Sequence, residues 1–173
     1  ILDFDNLTEE NIYVLDSPIL TNSQFKTFKK FFSKKVKVID CTFDIDGSLK
    51  ERIELIREEA ETAVREGSTC LVLSDKNITN QKASIPSILT VGAVHSHLVK
   101  HGLRGYCSLN VECSDAMDTH SFAILIGVGA TTVNPYLAID SIYQRFEKKL
   151  FGKSDFETCV SKFKKSIDAG LLK

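Results

Sequence analysis

The sequence predicts an α/β domain, with βαβ units forming a mainly parallel sheet flanked by helices in a partial-barrel or Rossmann-like topology. Three observations carry this expectation. Apolar or β-branched runs alternate with amphipathic stretches four times, at a spacing of about 30 residues. Helix start and stop residues punctuate the alternation. The 173 residues, 43% apolar and 26% charged, suit one domain with a sizeable core.

Residues 1–35 read as a lead-in segment. Within it Leu15-Asp-Ser-Pro-Ile-Leu20 is extended, because a residue preceding proline is pushed out of helical geometry. Thr21 or Asn22 then caps a short helix from Gln24 to Phe32, and Lys29, Lys30, Lys34 and Lys35 read as a solvated basic face. Residues 36–150 form the α/β core. Val36–Phe43 is rich in β-branched residues and reads as a strand. Ser48 with Glu51 makes a capping box, and the helix after it places Leu49, Ile53, Ile56, Ala60, Ala63 and Val64 on one stripe before stopping at Gly67. Cys70–Ser74 is the continuous apolar run of a strand covered on both faces.

Residues 75–84 read as a polar loop. Pro86 suits the first turn of a helix with apolar Leu89, Val94, Leu98 and Val99, closed by Gly102. Tyr106–Val111 is the next strand, and Ser114 or Asp115 caps a helix running to about Ile126. Thr131–Val133 is a short last strand, after which Asn134 and Pro135 open a helix to about Lys149. Residues 151–173 are a C-terminal helical segment opened by a capping box of Ser154 and Glu157.

Composition narrows the function. Basic residues number 22 and acidic ones 23, for a net charge of −1, so no electrostatic footprint for nucleic acid or a charged membrane surface is present. No apolar run approaches the roughly 18 residues of a transmembrane helix. Signal and transit patterns are absent, and a chain starting at Ile1 with Met117 as its sole methionine reads as part of a longer polypeptide. Five cysteines, none in a C-x-x-C pair and several in apolar strand contexts, read as structural thiols in an intracellular, reducing compartment.

Three groups of residues invite a chemical reading. Gly127-Val-Gly129 resembles part of a phosphate-binding loop, but it follows a helical stretch and precedes a strand, the wrong polarity for helix N–H groups to face a phosphate. The sixth motif position is Thr132, so the pair reads as a helix stop. Among the histidines, His97 and His101 share a helix face at i, i+4, yet no glutamate follows His97 as H-E-x-x-H requires; surface histidines near a helix end are the simpler reading. His120 and Asp118 are badly spaced for a base pair on a helix and read as a local hydrogen bond. Asp40 and Asp75 lie near the carboxyl ends of predicted strands, where α/β sheets build sites; they either form an alternative ligand or catalytic site or cap the following helices.

Several stretches in order, Leu15-Asp-Ser-Pro-Ile-Leu-Thr-Asn22, Asp40-Cys-Thr-Phe43, Leu71-Val-Leu-Ser-Asp75, Ile85-Pro-Ser-Ile88, Phe122-Ala-Ile-Leu-Ile-Gly127 and Asn134-Pro-Tyr-Leu-Ala138, resemble the central domain of glutamate synthases. The family pattern has a second histidine where this chain has Ser121 and an aromatic at Val128. The resemblance implies an enzyme making two glutamates from glutamine and 2-oxoglutarate. An amidotransferase domain with an N-terminal cysteine releases ammonia, which travels through a tunnel to a flavin barrel. FMN, a 3Fe-4S cluster and electrons from NAD(P)H or ferredoxin serve that half. The central domain would join these two partners of the same polypeptide, in the cytoplasm or a plastid, with residues 151–173 leading into the flavin domain. It implies no catalytic, cofactor or metal residue in this chain, which has isoleucine at residue 1 and no closely spaced cysteine triplet. Within this reading Pro18, Thr21 and Asn22 are the candidates for inter-domain contact or the ammonia tunnel.

Overall fold

β-Branched and apolar strands and capped amphipathic helices alternate along the chain in the computed structural model, which describes residues 13–173. The strands are β1 (Val36–Asp40), β2 (Thr42–Asp44), β3 (Cys70–Ser74), β4 (Lys82–Ser84), β5 (Ser108–Glu112) and β6 (Thr132–Asn134). The helices are α1 (Asn22–Phe32), α2 (Leu49–Arg65), α3 (Ser87–Lys100), α4 (Thr119–Gly127), α5 (Tyr136–Glu147) and α6 (Phe156–Leu171). Residues 1–12 of the lead-in segment lie outside the described residues.

β1, β3, β5 and β6 form one parallel sheet in that order. Consecutive parallel strands sit side by side with no reversal of direction along the sheet. A Rossmann order places later strands on both sides of the first; here β3, β5 and β6 all follow on one side of β1, the order found in a partial barrel. Helices α2, α3 and α4 pack one against the next, as successive right-handed crossovers on one face require. Leu71, Leu73, Leu109, Val111 and Val133 point into that helical layer, where Ile56, Ala60, Val91, Val94, Leu98 and Phe122 are also buried.

Side chains alternate between sheet faces, so Cys70 and Val72 point the other way. There α1 covers them with Phe25 and Phe28, both buried, and Leu20 completes the layer. Burying one such phenylalanine contributes about 1.5–3 kcal/mol, which favours α1 on this face.

The lead-in stretch is itself part of the sheet. Ile19 makes a parallel bridge to Val133, with Val133 N donating to Pro18 O at 2.8 Å and Leu20 N donating to Val133 O at 3.0 Å. Thr21 rather than Asn22 is the N-cap: its hydroxyl accepts from Gln24 N, and the Gln24 side chain accepts from Thr21 N.

Several boundaries differ from expectation. The predicted strand Val36–Phe43 breaks at Cys41, and its end becomes β2, which pairs antiparallel with β4 inside the predicted polar loop. Such three-residue strands carry too little periodicity to read. Asp118, not Ser114 or Asp115, caps α4, and Asp155, not Ser154, caps α6. Each cap is an aspartate accepting from the backbone three residues on. Asn134 belongs to β6 rather than capping α5. Leu89 and Val99 are exposed on α3.

Candidate functional site

The register of the sheet gathers polar side chains into layers on the face covered by α1. One layer runs Val38, Val72, Asn110, Thr132, and the next, at the carboxyl edge, runs Asp40, Ser74, Glu112, Asn134. Ligand sites of α/β proteins occupy this edge. Sequence reasoning pointed here through Asp40 and Asp75 but missed Glu112 and Asn134, whose signal was a polar residue closing an otherwise apolar strand.

The inner layer is satisfied internally. Asn110 donates to Leu71 O at 3.0 Å and Ser108 Oγ at 2.9 Å, while its carbonyl accepts from Thr132 at 2.9 Å. The outer layer reaches to the lead-in. Glu112 is buried; Lys29 from α1 and Lys76 meet one oxygen at 3.2 and 3.0 Å, and Ser74 donates to the other at 2.8 Å. Burial alone would raise the Glu112 carboxyl, but the bonds from Lys76 and Ser74 and the nearby ammonium charges outweigh it and hold the group below its ordinary range. Lys29 therefore departs from the predicted solvated face: it is the cation of a part-buried pair.

Asn134 makes the corresponding contact with the strap. Its amide donates to Leu20 O at 2.9 Å and Asn22 Oδ1 at 3.0 Å, and Asn22 in turn donates to Asp140 on α5 at 3.1 Å. Ser17 donates to Asp168 on α6 at 2.6 Å. Pro18, Thr21 and Asn22 thus occupy one strap fixed to β6, α5 and α6.

Asp40 and Asp75 are engaged separately. Asp40 accepts from Thr42 N at 3.0 Å and Thr42 Oγ1 at 2.8 Å; burial would raise its carboxyl, but bonds from Asn77 and Thr42 and the Arg52 charge leave it lowered. Asp75 accepts from Ser114 N and Oγ at 3.0 and 2.6 Å. Asp75 Oδ1 is buried and has no hydrogen-bond partner among the described residues. Burial and the Asp75 charge push the neighbouring Tyr136 phenol up.

Gly127 closes α4 and Gly129 follows at φ +118°. Gly129 N donates to Ile126 O, and Gly129 O accepts from Arg104 at 2.9 Å. The pair is a helix stop, as read. His120 and Asp118 are not joined by a hydrogen bond: the Asp118 carboxylate accepts from Ser121 N and Oγ at 2.8 and 2.6 Å. His97 departs from the surface reading. It lies between α2 and α3 at 2.6 Å from Glu61, with its side chain 13% exposed.

All five cysteines are free, and four are buried. Burial pushes the Cys41 and Cys70 thiols up to about 12 and about 11, far from a reactive thiolate. The thiols are dispersed, Cys70 on β3, Cys41, Cys107 and Cys113 in connecting segments and Cys159 on α6, so these residues do not fit an iron-sulfur cluster. No helix among the described residues is long and apolar enough to cross a membrane.

Residues 2–173 match the family described as the glutamate synthase central domain. The chain is 44% identical over 176 residues to the NADPH glutamate synthase large chain of Azospirillum brasilense, covering 100% of this chain and 12% of that one. It is 38% identical over 165 residues to the NADPH glutamate synthase large chain of Bacillus subtilis, covering 92% and 10%. Against the chloroplastic ferredoxin-dependent glutamate synthase of Oryza sativa subsp. japonica it is 37% identical over 174 residues, covering 92% and 11%. The chain thus spans about a tenth of the length of these relatives. With the match running across the strap, the parallel sheet and the C-terminal helix together, the chain belongs to the glutamate synthase central-domain family.

Proposed function

We propose that this chain is the coupling scaffold of a glutamate synthase. It joins an ammonia-releasing amidotransferase domain to an FMN domain that makes glutamate from 2-oxoglutarate, both in the same polypeptide. The observation that carries the reading is the use made of the sheet's carboxyl edge. Where an α/β enzyme would open a pocket, Glu112 and Asn134 hold α1 and the strap. A segment pinned to β6, α5 and α6 at once is a rigid part to set between two active sites. In this reading Pro18, Thr21 and Asn22 contact the amidotransferase side and line the ammonia path. FMN, the 3Fe-4S cluster and electrons from NAD(P)H or ferredoxin belong to the neighbouring half. The free thiols accord with a reducing compartment, cytoplasmic or plastid.

A second reading, a ligand or catalytic site at Asp40 and Asp75, is favoured by the buried, unpartnered Asp75 Oδ1. One assay tests the scaffold reading. Offered glutamine, the 173-residue chain alone is expected to release no ammonia above the buffer rate; measurable glutaminase turnover would refute the scaffold reading.

A further inference from the structure

We infer that Glu61, His97 and His101 form a binding site for one divalent metal ion of the zinc class, bridging α2 to α3. The inference stands apart from the coupling role, since it rests on side chains of the helical layer, outside the polar edge and the strap.

His97 on α3 and His101, the residue capping its C-terminus, sit one turn apart, and their ring centroids are 4.3 Å apart. Glu61 on α2, packed against α3, supplies the third group. The ligating atoms of the three residues all lie within 4.8 Å of one another. Glu61 Oε2 is 2.6 Å from His97 Nε2 and 3.8 Å from His101 Nδ1. Tetrahedral zinc with bonds near 2.0–2.1 Å places neighbouring donor atoms about 3.4 Å apart. The first distance must open by about 0.8 Å and the second close by about 0.4 Å, shifts on the scale of side-chain rotation.

The surroundings favour coordination. Arg65 holds the other oxygen, Glu61 Oε1, at 2.8–2.9 Å and so directs Oε2 toward the imidazoles. The exposure of the three side chains, 22% for Glu61, 13% for His97 and 33% for His101, leaves a fourth position for water. Two imidazoles and one carboxylate suit zinc, cobalt or nickel, whereas magnesium and calcium demand oxygen ligands. His101 Nδ1 bonds the His97 carbonyl at 2.8 Å, and metal binding exchanges that hydrogen bond for a metal–nitrogen bond. Because the ligands span two helices, the ion adds stability that an i, i+4 pair on one helix would not.

The test is titration of the 173-residue chain, its fold checked by circular dichroism, with zinc chloride by calorimetry and with cobalt chloride by visible absorption. The expected result is one zinc per chain, a rise in the thermal midpoint on zinc addition and the intense visible bands of tetrahedral cobalt. His101→Gln and Glu61→Gln should each weaken zinc binding by more than about tenfold and abolish the cobalt bands. His120→Gln and Cys159→Ser should change neither. His101 is partly exposed, so its glutamine variant keeps the fold and the comparison stays meaningful. Absence of saturable zinc uptake by the unsubstituted chain overturns the proposal, as does uptake undiminished in both His101→Gln and Glu61→Gln.

Discussion

Gly129 shows how a single residue is fixed by two demands at once. Its φ of +118° disfavours any side chain, and a Cβ built there runs into the His95 ring at Nδ1. The ring cannot easily yield, since His95 Nδ1 accepts from Arg104 at 3.2 Å and Arg104 also clamps Cys107 O and Gly129 O. Gly129→Ala is therefore expected to cost at least about 1–3 kcal/mol from backbone strain alone, with the clash in addition. Gly127 meets nothing within 4 Å and ends a helix, so Gly127→Ala should be neutral or stabilising by up to about 1 kcal/mol. Urea denaturation of the pair checks this; equal losses would mean the close approach to His95 is not what selects glycine. The helix stop was legible in the sequence from chain polarity. The close approach was not, because His95 lies far away along the chain.

Between elements, the docking of α1 depends on Glu112. Its carboxyl is lowered in the folded chain, so it adds stability above the unfolded glutamate value of about 4.3 and loses it as pH falls through the folded value. Glu112→Gln should thus flatten the acid side of the stability profile relative to the parent. At neutral pH it should cost about 1.5–3 kcal/mol through lost charge-assisted bonds. Denaturant melts between pH 3 and 7 read both, and an unaltered acid slope would mean Lys29 and Lys76 contribute nothing. The long elements, α2, α3 and β3, were readable because hydrophobic stripes and continuous apolar runs are local signals. The capping register of α4 and α6 slipped because serine and aspartate stand adjacent and either can cap. The β2–β4 pair, the strap on β6 and the Glu61–His97 contact are non-local pairings, which one-dimensional periodicity does not encode.

At the scale of the molecule, four parallel strands in sequence order carry α1 on one face and the layer of α2, α3 and α4 on the other. With α1 over that face, Glu112 and Asn134 are taken up in holding α1 and the strap. The family membership and the α/β class were accessible from ordered short motifs and alternation. The choice of partial barrel over Rossmann topology required the strand order. The central claim, that the strap couples two active sites, is tested most directly by the ratio of glutamate formed to glutamine hydrolysed in the intact glutamate synthase carrying this domain. Thr21→Ala removes the α1 cap without adding bulk, a loss of about 1 kcal/mol, and should leave the ratio unchanged. Thr21→Phe adds bulk at the strap and should lower the ratio while glutamine hydrolysis continues; a ratio equal to that of the unsubstituted enzyme would contradict the coupling role.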